Sequence, residues 1–191
     1  MVLIRPVVPL ATLALVLLMS LPALAQQKLL PEQSEIAFVA RQMGVPLEGK
    51  FRKFDAQISF DVAKPQTSKI AFTVDVGSAT LGSRETDAEL PKAPWFNVPK
   101  FPQASFQSSS VKALGGGKFE VAGQLTIKGT ARDVVVPVAL TQSGAVTTAI
   151  GTLPLKRLAF KIGENEWADT AMVADDVQVK FKLALSGVGK L

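Results

Sequence analysis

Hydrophobic and polar side chains alternate with a period of two along most of this chain. Ile36, Phe38 and Ala40 alternate with Ala37, Val39 and Arg41; Phe54, Ala56, Ile58 and Phe60 alternate with Asp55, Gln57 and Ser59. Further rows run through Ile70, Phe72, Val74 and Val76, through Val121, Gly123, Leu125 and Ile127, and through Val134, Val136, Val138 and Leu140. The last is the clearest: Val177, Val179, Phe181, Leu183 and Leu185 against Gln178, Lys180, Lys182 and Ala184. Successive side chains on a strand point to opposite faces, so each run carries one apolar and one wetter face. The pattern predicts about eight antiparallel strands with one side in water.

The punctuation agrees. Asp61 to Lys69, Gly115-Gly116-Gly117, Gly129-Thr130 and Ser143-Gly144 mark turns, and the triple glycine predicts a hairpin between Ser105–Lys112 and Lys118–Lys128. The spacing suggests a meander that closes into a barrel and so hides its edges. A two-sheet sandwich would give much the same periodicity. Ser83 to Pro102 breaks the rhythm with four prolines and with Trp95, Phe96 and Phe101. Thr86-Asp87-Ala88-Glu89 reads as a capping box opening a short helix, and Pro91 keeps it short. One or two helical turns are expected there, lying across one end of the barrel as a functional loop or as a plug.

The first residues predict export. Arg5 precedes an apolar run from Val7 to Leu21, Pro22 breaks it, and Ala23-Leu24-Ala25 sets small residues two apart. This is the three-part pattern of a secretory signal peptide, with cleavage expected after Ala25. The division is therefore 1–25 as leader and 26–191 as one domain, long enough to bury a core of its own. No later stretch is long and apolar enough to span a bilayer, so the exported chain is expected to be soluble in the periplasm, without stable membrane insertion.

Composition narrows the chemistry. The full chain has a formal net charge of +5, with its charges interspersed. Lys50, Arg52 and Lys53 cluster, as do Lys156 and Arg157; an ordinary solvated face and a surface for anionic lipid both fit. Nothing resembles the basic, aromatic-interleaved stripe of a nucleic-acid binder. The chain has no His, Cys or Tyr. That removes Ser-His-Asp and Cys-His catalysis, His-containing zinc sites and His-held haem. The acidic stretch Glu164, Glu166, Asp169, Asp175 and Asp176 lacks any ligand spacing and reads as a solvated loop. No enzyme activity, metal or cofactor is expected.

What remains is apolar volume. Eight strands enclose room for side chains or for one small ligand. The Phe rows therefore either line a cavity or fill a dry core, and composition does not choose between them.

Ordered segments then resemble a known family. Phe38–Gly44 (FVARQMG) and Gly49–Asp61 (GKFRKFDAQISFD) are similar to the opening strands of the YceI-like proteins. Asp87–Leu90, Trp95-Phe96-Asn97, Lys100–Phe106, Gly123–Thr130, Val134–Val138, Arg157–Gly163 and Glu166-Trp167 follow in that family's order, so the likeness runs from about Ser34 to Leu185. The resemblance implies a lipocalin-like antiparallel barrel in periplasmic proteins that bind isoprenoid lipids or other long-chain amphiphiles. Many relatives carry a His where this chain has Gln42, and Leu158–Lys161 departs from the usual polar pair followed by Phe-Gly.

These readings combine into one expectation: a periplasmic carrier or store for a polyprenyl or isoprenoid-quinone type lipid. The lipid tail would lie among Phe38, Phe54, Ile58, Phe60, Phe72, Val74, Phe106, Leu125, Ile127 and Phe181. Trp95, Phe96, Phe160 and Trp167 are candidates for the mouth or plug, and Gln42 and Arg157 for headgroup contacts. The rival is a non-enzymatic envelope-stress protein or an accessory interaction module for a membrane redox complex, with the barrel filled. Oligomeric state is left open, a homodimer included.

Overall fold

The computed structural model describes residues 27–191; the expected leader, residues 1–25, lies outside them. The strands are β1 (Lys28–Leu29), β2 (Glu35–Gln42), β3 (Val45–Phe51), β4 (Phe54–Ser59), β5 (Lys69–Asp75), β6 (Ala79–Thr80), β7 (Gln103–Gly115), β8 (Lys118–Ile127), β9 (Thr130–Ser143), β10 (Val146–Lys156) and β11 (Asp176–Ser186). All belong to one antiparallel sheet with the order β4-β5-β7-β8-β9-β10-β11-β2-β3-β6, and β1 pairs with β11. One strongly curled sheet replaces the sandwich alternative. The strand count exceeds the expected eight because β1 and β6 are two-residue strands that pattern reading does not register, and because the rows around Leu47 and Leu153 are interrupted by Pro46 and Pro154.

The curl is closed by side chains rather than by a complete ladder. The Gln27 amide donates to Phe60 O at 2.7 Å and accepts from Phe60 N at 2.7 Å, standing in for a strand rung just past the end of β4. At the opposite corner the Ser78 hydroxyl accepts from the backbone N–H groups of Arg52 and Lys53. Backbone groups that would otherwise be an exposed edge are thereby satisfied.

Interior positions follow the alternation. Ile36, Phe38, Val121, Ile127, Val136, Ala149, Leu183 and Leu185 are buried, whereas Lys180 and Lys182 of β11 are exposed. In β7 the pairing slips between Ser108 and Ser110. A bulge inserts one extra residue, so the inward face passes from Phe106 and Ser108 to Val111, which is 3% exposed. Without it Lys112 would share the inward face with Phe106. Ser108 uses its burial, because its hydroxyl accepts from Ile70 N at 2.9 Å.

The one α-helix among the described residues, α1 (Arg84–Glu89), begins a turn earlier than the Thr86 capping box suggests. Ser83 is its N-cap residue and makes no side-chain cap bond. Thr86 lies inside the helix and donates to Ser83 O at 3.0 Å. Asp87 holds the helix down instead, accepting from Thr80 Oγ1 and from Leu81 N, both at 2.6 Å. Among the described residues no helix is long and apolar enough to cross a membrane.

Candidate binding cavity

The inward faces do not meet as a solid core. They enclose two chambers of about 190 and 270 Å³, each larger than the roughly 150 Å³ dry cavity that accepts a benzene ring. Ile36, Val74, Leu125, Leu153 and Val179 belong to both walls, so the chambers are neighbours, set apart by an apolar waist of these side chains.

The first chamber is almost purely hydrocarbon. Ile58, Phe60, Phe72, Phe106, Phe119, Phe181 and Leu183 line it together with aliphatic residues of β8 and β9. Thr147 is its one polar lining side chain, fully buried, and its hydroxyl accepts from Gln142 Nε2 at 3.1 Å. Leu29 and Val188 pack into the surrounding core from the two ends of the domain. The Phe60 and Phe119 rings meet edge to face, with centroids 5.2 Å apart.

The second chamber combines an apolar wall with a polar rim. Phe38, Phe51, Phe96, Ile127, Leu155 and Phe160 form the wall, and Arg41, Gln42, Thr86 and Glu89 bring polar groups to it. Arg41 and Gln42 are exposed, which places the mouth between the β2–β3 hairpin and α1. Trp95 and Trp167 lie 5.4 Å apart, with their rings tilted at 47°, on the side formed by the α1–β7 loop (residues 90–102) and the β10–β11 loop (residues 157–175).

Two buried cations hold these loops: Lys128 ties one to the other, and Arg157 braces the β10–β11 loop from within. Lys128 Nζ donates to Ala93 O at 2.8 Å, Pro94 O at 3.3 Å and Lys161 O at 2.6 Å, and pairs with Glu164 at 2.8 Å. The Pro94 carbonyl also accepts from Gly163 N and Glu164 N. The second cation, Arg157, is 3% exposed. Its Nε donates to Ala174 O, one Nη to Ile162 O and Gly163 O, and the other to Trp167 O and Val173 O, over 2.6 to 3.1 Å. Burial pushes its pKa down, and nearby Asp175 opposes that shift. Guanidinium has five N–H donors, and all five are used. The bend needs left-handed backbone at Lys161, Gly163 and Asn165, with φ of 58°, 75° and 57°. A Cβ at Gly163 would collide with the Arg157 guanidinium.

The residues proposed from sequence fall as follows. Ile58, Phe60, Phe72, Val74, Phe106, Leu125 and Phe181 reach the first chamber; Phe38, Gln42, Trp95, Phe96, Ile127, Arg157, Phe160 and Trp167 reach the second, with Val74 and Leu125 shared. Phe54 reaches neither. It opens the edge strand β4 at the corner after Arg52-Lys53 and packs against the core from there. Arg157 contributes to the wall but retains no donor for a headgroup, because the loop carbonyls consume them. Sequence reasoning missed Leu153 and Leu155, although Ala149, Gly151, Leu153 and Leu155 alternate; Gly151 and Pro154 disguise the row. Among the described residues no three His, Cys, Asp or Glu side chains converge on a point that would hold a metal ion.

Comparison with known proteins places this geometry. A family model described as the YceI-like domain matches residues 28–185. The crystal structure of Burkholderia cenocepacia BcnA is 45% identical, with a TM-score of 0.79 over 82% of this chain and 98% of that one. A UPF0312 protein of Ectopseudomonas mendocina is 35% identical over 118 residues, 60% of this chain, and the match spans 62% of that relative's length. A polyisoprenoid binding domain from Saccharophagus degradans, implicated in plant cell wall breakdown, shares the fold at 15% identity, with a TM-score of 0.67 over 84% of this chain and 98% of that one.

Proposed function

We propose that this chain, which belongs to the YceI-like family, holds a long-chain isoprenoid or similarly shaped amphiphile in its two-chamber tunnel and carries it in the periplasm after export. The waist of Ile36, Val74, Leu125, Leu153 and Val179 is the observation that supports this most directly. Two neighbouring apolar chambers suit a flexible hydrocarbon longer than either, threaded through the waist between them. Each buried methylene contributes about 0.8 kcal/mol, so a tail needs few polar contacts to bind tightly. Its tail would enter the first chamber, where Thr147 alone is polar and is already bonded. The polar end would remain at the rim of the second, where Gln42 and Arg41 are exposed. The description of the Saccharophagus degradans domain as polyisoprenoid binding agrees with this reading.

Native mass spectrometry of protein purified from periplasm, followed by lipid extraction, tests it. The expected result is a lipid-loaded species and uptake of added polyprenol by stripped protein. Leu125→Trp or Val179→Trp should obstruct the waist, sparing short chains and excluding long ones. Empty protein that takes up no added polyprenol would overturn the proposal.

A further inference from the structure

The described residues expose seven large hydrophobic side chains, and three of them sit side by side next to the mouth of the second chamber: Met43 at 75%, Val45 at 66% and Met172 at 43%. Met43 and Gly44 form the two-residue turn between β2 and β3, since Gln42 pairs with Val45. The neighbouring loop joins them through Met43 N, which donates to Met172 O at 2.8 Å, and through the bridge between Gln42 and Val173. Ala171, beside Met172, is exposed as well. Arg41, Gln42, Leu47 and Val173 line the chamber, so the rim and this tip are continuous.

The tip breaks a local rule that the fold does not require it to break. Met43 and Gly44 have φ of 49° and 80°, and a hairpin turn with both central residues left-handed favours Asn, Asp or Gly at the first position. Lys128 and Gly129 form the same kind of turn, with φ of 47° and 73°, but Lys128 is held there by its buried contacts to the loops. Met43 has no such reason, because its side chain is mostly in water. Local rules broken without a packing gain mark functional positions. The tip's charges are already engaged at close range: Arg41 reaches back to Gly44 O, and the Asp169 carboxylate accepts from Ala171 N.

From this juxtaposition we propose that the Met43–Val45 turn and Met172 form a docking tip that seats the mouth of the second chamber on a lipid bilayer. The inference rests on the carrier reading above: a hydrocarbon passing between membrane and tunnel avoids water only if the mouth meets the interface. Unbranched Met suits the irregular boundary between headgroups and acyl chains.

The test uses the signal-free chain with vesicles of phosphatidylethanolamine and phosphatidylglycerol, and with vesicles of phosphatidylcholine alone. The wild type should co-sediment with both, because apolar contact drives the association. In the triple variant M43N/V45T/M172Q the bound fraction should fall about tenfold or more, as these side chains no longer leave water on docking. M43N alone should melt no lower than wild type, since Asn suits the turn, yet should weaken sedimentation. Ile150→Thr, an exposed change on the outer wall, should leave sedimentation unchanged. Polyprenol presented in detergent micelles should load wild type and triple variant alike, whereas transfer from vesicles should slow only in the variant. Wild type that fails to sediment, a triple variant that sediments equally, or a tip that selects a protein partner while ignoring vesicles overturns the docking tip. Micelle loading without vesicle binding overturns it and leaves the carrier reading standing. Vesicle binding that the triple variant loses, without loading from any source, supports the tip and sinks the carrier.

Discussion

The ring of Phe181 occupies the space that a side chain at Gly151 would need. The two residues face each other across β10 and β11, and a Cβ on Gly151 would collide with the edge of the Phe181 ring and lie 2.7 Å from Pro137 O. Phe38 stands in the same relation to Gly49, its partner across β2 and β3. Phe106 covers Gly123 from the neighbouring strand. In each pair the missing side chain lets a ring lie over the adjacent strand's backbone, along the wall rather than across the tunnel. Aromatic cover of a strand glycine also offsets the stability that glycine loses in a sheet.

Gly151→Val should therefore drive the Phe181 ring toward the lumen. Overpacking of this kind costs about 1–3 kcal/mol, read as a lower urea midpoint. Loading with a long-chain ligand should fall with it. Adding Phe181→Ala should recover part of the stability lost at Gly151, so the two substitutions should be non-additive. Additive effects would mean that the ring does not depend on the glycine.

Much of the wall was legible because a buried sheet face obliges apolar residues at every second position. Phe181, Leu125 and Ile58 follow directly from that rule. It failed in β7, where the parity of Phe106 predicts Lys112 inside; the bulge that brings Val111 in leaves no mark in a run of three serines. The second chamber was less legible, since its loop side depends on contacts between segments distant in sequence. Lys128 looks like an exposed turn residue until Ala93, Pro94, Lys161 and Glu164 converge on it. Arg157 looks like a free cation beside an acidic loop, and backbone carbonyls, which carry no sequence signal, take all its donors.

Arg157 should thus act as the keystone of the loop between β10 and β11. Leaving a buried acceptor without its donor costs about 1–3 kcal/mol, and Arg157 serves five backbone carbonyls, so Arg157→Met should lower the unfolding midpoint sharply. Arg157→Lys keeps the charge but has three donors in place of a five-donor fork. It should recover only a small part of the loss if donor geometry matters more than charge. The Trp167 carbonyl is one acceptor, and Trp167 packs against Trp95, so both variants should shift tryptophan emission to the red. Unchanged emission and stability in Arg157→Lys would show that charge alone suffices.

Asp87 sets the acid limit of the mouth. Its carboxylate accepts from Thr80 Oγ1 and Leu81 N, and these bonds, the Thr80 bond foremost, hold its pKa below the ordinary 3.8. A carboxyl group with a depressed folded pKa stabilises fully above the unfolded value, and that contribution fades as pH falls through the folded value. The anchoring of α1, which supplies Thr86 and Glu89 to the second chamber, should therefore persist at neutral pH and weaken only below 3.8. Hydrogen exchange across residues 81–90 should rise in that acid range in wild type. Asp87→Asn should exchange faster at neutral pH, because Thr80 Oγ1 and Leu81 N donate to different carboxylate oxygens and the amide keeps only one of them as an acceptor, and its exchange should change less than wild type's on acidification. If both proteins respond to acid equally, another group controls the helix, and the anchoring role assigned to Asp87 is wrong.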